Sequence, residues 1–248
     1  MLQADLAWHD AAANSQTFAR MIAQKEADLF VLPEMWPTGF ATEPTGVAEP
    51  ADDSPSLRWM ISTARASNAA LAGSVATVDD GRYFNRFYFV KPNGSVTHYD
   101  KRHLFGYGGE GRCYTAGRRR TVVEWHGVRF LLCVCYDLRF PVWSRNRGDY
   151  DVALYVASWP RPRQDAWRWL LRARAIENQC YVVGVNRIGK DPACDYSGMS
   201  CAFDAWGQTV ARCEPNQECA ATLHLDMPAL AQFRNDFPVL KDADEFSL

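Results

Sequence analysis

Three polar side chains stand at the ends of apolar runs. Glu34 follows Leu29-Phe30-Val31-Leu32, Lys101 follows Val96–Tyr99, and Cys135 follows Phe130–Val134. A carboxylate, an ammonium and a thiol together suit nucleophilic acyl transfer. A neutral thiol attacks a carbonyl poorly and needs a base, for which Glu34 is the candidate. Lys101 would stabilise a thiolate and the oxyanion of a tetrahedral intermediate. Around Cys135 the chain reads Phe130-Leu131-Leu132-Cys133-Val134-Cys135-Tyr136-Asp137-Leu138-Arg139-Phe140-Pro141. This is a strand-forming run, a break at Tyr136-Asp137, and a proline suited to the first turn of a helix. The spacing predicts a thiol beside free backbone N–H groups at a helix N-terminus, which would favour the thiolate and bind a developing oxyanion. Taken singly, each residue has a plainer account. Glu34 could cap the next segment, Lys101 could be a surface charge, and Cys135 could be a small core side chain.

The elements that must position these groups alternate between helix and strand. Residues 1–7 read as a strand, and 11–25 as a helix with Phe18, Met21 and Ile22 on one face. The run Leu29–Leu32 is continuously apolar, as in a strand covered on both sides. A helix over 55–67 and a strand over 69–78 follow. Asp79-Asp80-Gly81 and Pro92-Asn93-Gly94 then punctuate hairpins around Tyr83–Val90 and Val96–Tyr99. Strands are predicted over 121–125, 128–135 and 152–156, a strong helix over 164–178, and strands over 181–186, 199–204, 209–213 and 219–225. Pro228 opens a last helix that runs to about Phe237. The simplest architecture is one α/β domain spanning 1–248, with two mixed sheets face to face and helices outside them. In such sheets, groups at strand ends converge on a crevice although they lie far apart in sequence.

Composition narrows the class. The chain has 248 residues, 48% of them hydrophobic, and a net charge of −2, so it can bury a sizeable core and shows no nucleic-acid footprint. The single basic run, Arg118-Arg119-Arg120, reads as a solvated loop. Eight cysteines are spread from 113 to 219 with no C-x-x-C, which supports neither a disulfide scaffold nor a structural zinc site and fits a reducing cytoplasm. No apolar run approaches the ~18 residues of a membrane span. The N-terminus lacks the basic and long apolar regions of a signal peptide.

Leu32-Pro33-Glu34, Tyr99-Asp100-Lys101-Arg102-His103-Leu104-Phe105 and Cys135-Tyr136-Asp137-Leu138-Arg139-Phe140-Pro141 resemble, in order, the Glu, Lys and Cys motifs of the nitrilase (carbon–nitrogen hydrolase) superfamily. Trp159-Pro160, Arg172–Gln179, Gly184-Val185-Asn186-Arg187, Tyr196-Ser197-Gly198 and Asp242–Phe246 are similar to its bacterial omega-amidase branch. The likeness runs from about residue 3 to the C-terminus. It implies a four-layer α-β-β-α sandwich of two mixed β-sheets, a homodimer or higher homo-oligomer formed through outer helices, and hydrolysis of an amide through a cysteine acyl-enzyme. It also implies that Glu34, Lys101 and Cys135 are catalytic, with Glu110 as a second glutamate that orients Lys101. No metal or other cofactor is implied. Glu110 could instead be an exposed acid of the loop Gly106–Gly111, itself the expected rim of a pocket.

The omega-amidase likeness points to a small dicarboxylate monoamide, such as 2-oxoglutaramate or 2-oxosuccinamate. The far carboxylate then needs a cation, and Arg139, Arg161, Arg163 and Arg187 are the candidates. Tyr136, Phe40, Trp159 and Trp36 are candidate walls, with Trp159 preferred because it follows the strand beside the cysteine strand. Two departures from the pattern stand out. Met199 occupies a position where close relatives often carry Asp, so specificity could differ, and the first strand looks clipped. Other readings are a nitrilase, an aliphatic amidase, an N-carbamoyl hydrolase, or a non-catalytic binding protein with the same fold. A Cys-His peptidase would need His103, which has no evident Asn partner.

Overall fold

A computed structural model describes residues 1–247. Two sheets carry the chain. One has six strands in the order Thr209–Arg212, Cys201–Phe203, Tyr181–Asn186, Val152–Ala157, Val128–Val134, Val122–Trp125. Its middle three run parallel and its flanking pairs antiparallel. The other sheet is ordered Leu29–Val31, Ala70–Asp79, Arg82–Val90, Val96–Asp100, with Glu49–Pro50 added alongside Ala70–Asp79. Parallel and antiparallel pairings are mixed here too.

The period of two along each strand explains the layering. Phe130, Leu132 and Val134 face Phe87, Phe89 and Tyr99 of the opposite sheet. Their neighbours Leu131 and Cys133 point the other way, against Trp167, Leu171 and Ala175 of the helix Gln164–Asn178. On the far side, the helices Ala11–Ile22 and Pro55–Ser67 lay Phe18, Met21, Met60 and Ala64 against Leu71, Val75 and Tyr88. Each large side chain sealed this way contributes about 1.5–3 kcal/mol. The result is the expected order of helix, sheet, sheet, helix.

Local chemistry sets the helix boundaries. Asp10 accepts a bond from the Ala13 N–H at 2.9 Å, and Ser54 one from Leu57 at 3.0 Å with Pro55 in the first turn. Asn68 and Gln179 end their helices in the left-handed conformation.

Some expected elements differ. The first strand is Leu2–Gln3, paired with Cys219–Ala220, and the expected strand over 219–225 keeps its ladder only there. Leu223 and Leu225 still pack on the inter-sheet core, so an apolar run was misread as a strand. A short hairpin, Ile188–Lys190 with Asp195–Ser197, lies where no strand was expected. Cys213 and Cys219 are joined as a disulfide, against the expectation from spacing; they are six positions apart in sequence, and the loop between them returns on itself and sets their Cα atoms 5.8 Å apart. Arg120 is not a free loop charge, since it binds Asp149 and the carbonyls of Trp143 and Arg145. No helix among the described residues is long and apolar enough to cross a membrane.

Candidate active site

Glu34, Lys101 and Glu110 arrive from three separate segments and are all fully buried. Lys101 Nζ donates to Glu34 Oε1 at 2.9 Å and to Glu110 Oε2 and Oε1 at 2.8 and 3.1 Å. Burying each such ion costs several kcal/mol, so a closed carboxylate–ammonium–carboxylate cluster is a poor device for stability and marks a functional place. Backbone donors hold it in position. Ser158 N–H donates to Glu34 Oε2 at 2.8 Å and Phe105 N–H to Glu110 Oε2 at 2.6 Å. Burial by itself pulls the Lys101 ammonium down, but Glu110 and then Glu34 outweigh it and raise it above the ordinary lysine value. Burial pushes Glu110 up and Glu34 adds to that, while Lys101 opposes both.

Lys101 is fixed by its backbone as well. Its N–H donates to Asn85 O at 3.0 Å and its carbonyl accepts from Gly117 N–H at 2.9 Å. A Cβ on Gly117 would overlap the Asp100 carbonyl oxygen, so only glycine fits there. Arg86 anchors the same strand end by a forked pair to Asp100 at 2.6 and 3.0 Å.

Cys135 ends the strand Val128–Val134 with φ 45°, a left-handed backbone that a cysteine adopts only under constraint. The constraint is Asp137, fully buried. Its Oδ2 accepts from Val134 N–H at 2.9 Å and Tyr99 OH at 2.8 Å, and its Oδ1 from His103 N–H at 2.9 Å. One carboxylate thus ties the turn after the cysteine to the loop after the lysine. Arg174 adds a bond from the outer helix to Leu138 O at 2.7 Å.

Pro141 opens a helix as expected, but Cys135 itself begins a short 3-10 turn and not the N-terminus of a longer helix. That turn spans Cys135–Arg139, and the helix Pro141–Ser144 has only four residues. Correspondingly, the thiolate is not favoured at rest. Burial pushes the Cys135 thiol well up, the charge of Glu34 adds to this, and Lys101 acts against it.

Cys135 opens on a cavity of about 250 Å³. Phe40, Phe105, Tyr136, Trp159 and Tyr196 give it an aromatic wall, and Arg139 and Arg163 supply cations. Arg139 lies 5.1 Å from the Trp159 ring centre and Arg163 5.3 Å from that of Phe105. Neither guanidinium has a carboxylate partner among the described residues. Glu34 and Lys101 lie behind this wall: Ser158 reaches both the cavity and Glu34, and Lys101 Nζ is 5.2 Å from the Phe40 ring centre. A larger cavity, about 560 Å³, opens between the sheets beside Leu29 and Trp125 and contains none of these groups. Among the described residues, no three His, Cys, Asp or Glu side chains are grouped as a metal site.

The sequence profile of the Carbon-nitrogen hydrolase family matches residues 1–235. The chain belongs to that family. Among carbon–nitrogen hydrolases, an Escherichia coli protein named Omega-amidase YafV is 47% identical over all of this chain and 97% of its own length. A Bacillus subtilis protein named 2-oxoglutaramate amidase is 34% identical over 88% of this chain and 85% of its own length. A carbon–nitrogen hydrolase superfamily protein of Xanthomonas campestris, solved with an arsenic adduct in its active site, superposes with a TM-score of 0.96 at 41% identity, covering 100% of this chain and 97% of that one.

Several expected positions fall elsewhere. Arg161 bonds to Asn216, and Arg187 is buried against Asp5, Leu6 and Lys190, so neither lines the thiol cavity. Trp36 fills the helix–sheet core between Phe18 and Trp59. Met199 is outside the cavity wall; its carbonyl accepts from Trp167 and its φ is 59°. The sequence reading missed Asn85, Asp137 as a tether, Ser158, and the loop Asp191–Tyr196 that closes one side. Asn85 had a signal: an amide amid the aromatic run Tyr83–Val90, where β-strands disfavour it.

Proposed function

We propose that this carbon–nitrogen hydrolase is an omega-amidase acting as one domain over 1–248. Its substrate would be a small dicarboxylate monoamide, such as 2-oxoglutaramate or 2-oxosuccinamate, and its products ammonia and the dicarboxylate. The observation that carries this reading is the cluster itself: Lys101 is clamped between Glu34 and Glu110 at 2.8–3.1 Å, directly behind the wall that bears Cys135. Cys135 Sγ attacks the amide carbonyl as Glu34 takes its proton. Lys101 and the Tyr136 N–H stabilise the oxyanion, and Glu110 orients Lys101. Glu34 then protonates the departing ammonia and activates the water that cleaves the thioester.

Arg139 and Arg163 are the assigned partners of the far carboxylate, because both are stacked on cavity rings and free of carboxylate partners among the described residues. Phe40, Tyr136 and Trp159 shape the chain of the substrate. The names of two relatives, Omega-amidase YafV and 2-oxoglutaramate amidase, support the reading. No cofactor takes part. We place the enzyme in the cytoplasm and as a homodimer.

Ammonia release from a panel of ω-amides and uncharged aliphatic amides tests this. Wild type should prefer the carboxylate-bearing amides, and Cys135→Ala should release none. Arg139→Ala or Arg163→Ala should raise KM for the charged amides about 10–100-fold, the worth of a charge-assisted bond, and leave uncharged amides unaffected. Equal release by wild type and Cys135→Ala would remove the mechanism. Nitrile turnover without amide hydrolysis would replace it with a nitrilase.

A further inference from the structure

Asn85 lies fully buried in the strand Arg82–Val90, between Phe84 and Arg86. Its Nδ2 donates to Glu34 Oε1 at 2.8 Å and to Glu110 Oε1 at 3.1 Å. The reverse amide orientation would set Oδ1 against two carboxylate oxygens, so the assignment is fixed by charge. Its Oδ1 has no hydrogen-bond partner among the described residues. An unsatisfied buried carbonyl costs about 1–3 kcal/mol, so stability does not select this residue; the two N–H bonds do.

The lone pairs of Glu34 can be counted. A carboxylate oxygen offers two acceptor directions. On Oε1 both are taken, by Lys101 Nζ at 2.9 Å and Asn85 Nδ2 at 2.8 Å. On Oε2 one is taken, by the Ser158 N–H at 2.8 Å, and Ser158 belongs to the cavity wall. One direction remains, on Oε2, the oxygen on the cavity side.

We propose that Asn85 is a positioning residue that makes Oε2 the proton-accepting atom of Glu34, by occupying the second site on Oε1 and tying Glu110 to the same point. In the acylation step, the Sγ–H bond breaks as Oε2–H forms, Sγ bonds to the carbonyl carbon, and the carbonyl electron pair moves to oxygen. On collapse the C–N bond breaks, and the Oε2 proton leaves on ammonia. Without the Asn85 donor, Oε1 competes as an acceptor on the side away from the thiol, and part of the population is miswired.

This inference rests on Glu34 acting as the base, so its test has one readout on turnover and one on the thiol alone. Asn85→Leu keeps the branched four-atom side-chain skeleton and removes both donors. It should lower kcat about 10–100-fold, as loss of a supporting hydrogen bond does, and leave KM unchanged. Asn85→Asp adds a negative charge beside Glu34 and Glu110, and should displace the pH profile of Cys135 alkylation by iodoacetamide to higher pH. A purely structural role would lower the melting temperature of both variants and leave the kcat/KM split and the alkylation profile unchanged. Wild-type kcat in folded Asn85→Leu, or an unshifted profile in Asn85→Asp, overturns the proposal. If either fails to fold, Asn85→Ser, smaller and uncharged, decides by the same kcat criterion. Should wild type release no ammonia from any amide, the amidase reading fails, and the alkylation profile still judges Asn85.

Discussion

Cys135 and Glu34 pull in opposite directions, and a single substitution separates them. Burial and the Glu34 charge hold the thiol protonated well above the ordinary cysteine range, with Lys101 opposing. In the proposed mechanism the sulfur therefore gains nucleophilicity only when a substrate arrives and Glu34 accepts its proton. Glu34→Gln removes the nearby negative charge, so the thiol pKa should fall. Alkylation of Cys135 at a fixed pH near 8 should then be faster than in wild type. Turnover should instead drop by about 10²–10⁴-fold, the usual worth of a general base. Parallel loss of alkylation and turnover would mean that Glu34 activates the resting thiol, contrary to the charge balance seen here.

At the scale of elements, the strand ends fix the chemistry, and Gly117 shows how tightly. Its missing Cβ lets the Asp100–Lys101 backbone pass, and its N–H holds the Lys101 carbonyl at 2.9 Å. Gly117→Ala must push Asp100 and Lys101 apart from the carboxylates. A displacement of about 1 Å is expected to cost on the order of 10²-fold in kcat, with the loss visible in kinetics before the far-UV spectrum changes. These strand ends were legible in the sequence, because Leu29–Leu32 and Phe130–Val134 are unbroken apolar runs, and Val96-Thr97-His98-Tyr99 follows a Pro-Asn-Gly turn and stops at Asp100-Lys101. The helices Pro55–Ser67 and Gln164–Asn178 fell at their expected bounds because apolar spacing marks both, with Ser54 and Pro55 opening the first; the second has no side-chain N-cap. The hairpin Ile188–Lys190 with Asp195–Ser197 was not legible, since three-residue strands carry too little periodicity. Asn85 was hidden for another reason: its partners Glu34 and Glu110 are 51 and 25 residues away, and only the fold brings them together. The state of the thiol was misjudged for the same reason, because burial is a tertiary property and the short 3-10 turn supplies no long helix N-terminus.

At the scale of the molecule, one outer surface is unlike the rest. On the helix Gln164–Asn178, Trp169 and Ile176 lie two turns apart on one side, 62% and 47% exposed. The turn at Gly207 rests on Ile176, and the adjoining Trp206 is 63% exposed and packs at a tilt against Phe233. Large apolar side chains left in water on a helix whose other face is sealed against the sheet support the proposal that this surface is covered by a second copy of the chain. The same helix reaches the thiol turn through Arg174 and Leu138, so pairing two such helices would stiffen the segment that carries Cys135. We expect wild type to sediment as a dimer and Trp169→Glu with Ile176→Glu to sediment as a monomer. Each buried charge would cost far more than the lost apolar contact. The monomer should keep its fold, because neither side chain touches the core behind the helix, and should lose part of its kcat as the Cys135 turn loosens. A double variant that still sediments as a dimer would move the interface to another face, and a wild type that sediments as a monomer would leave this surface to a different partner.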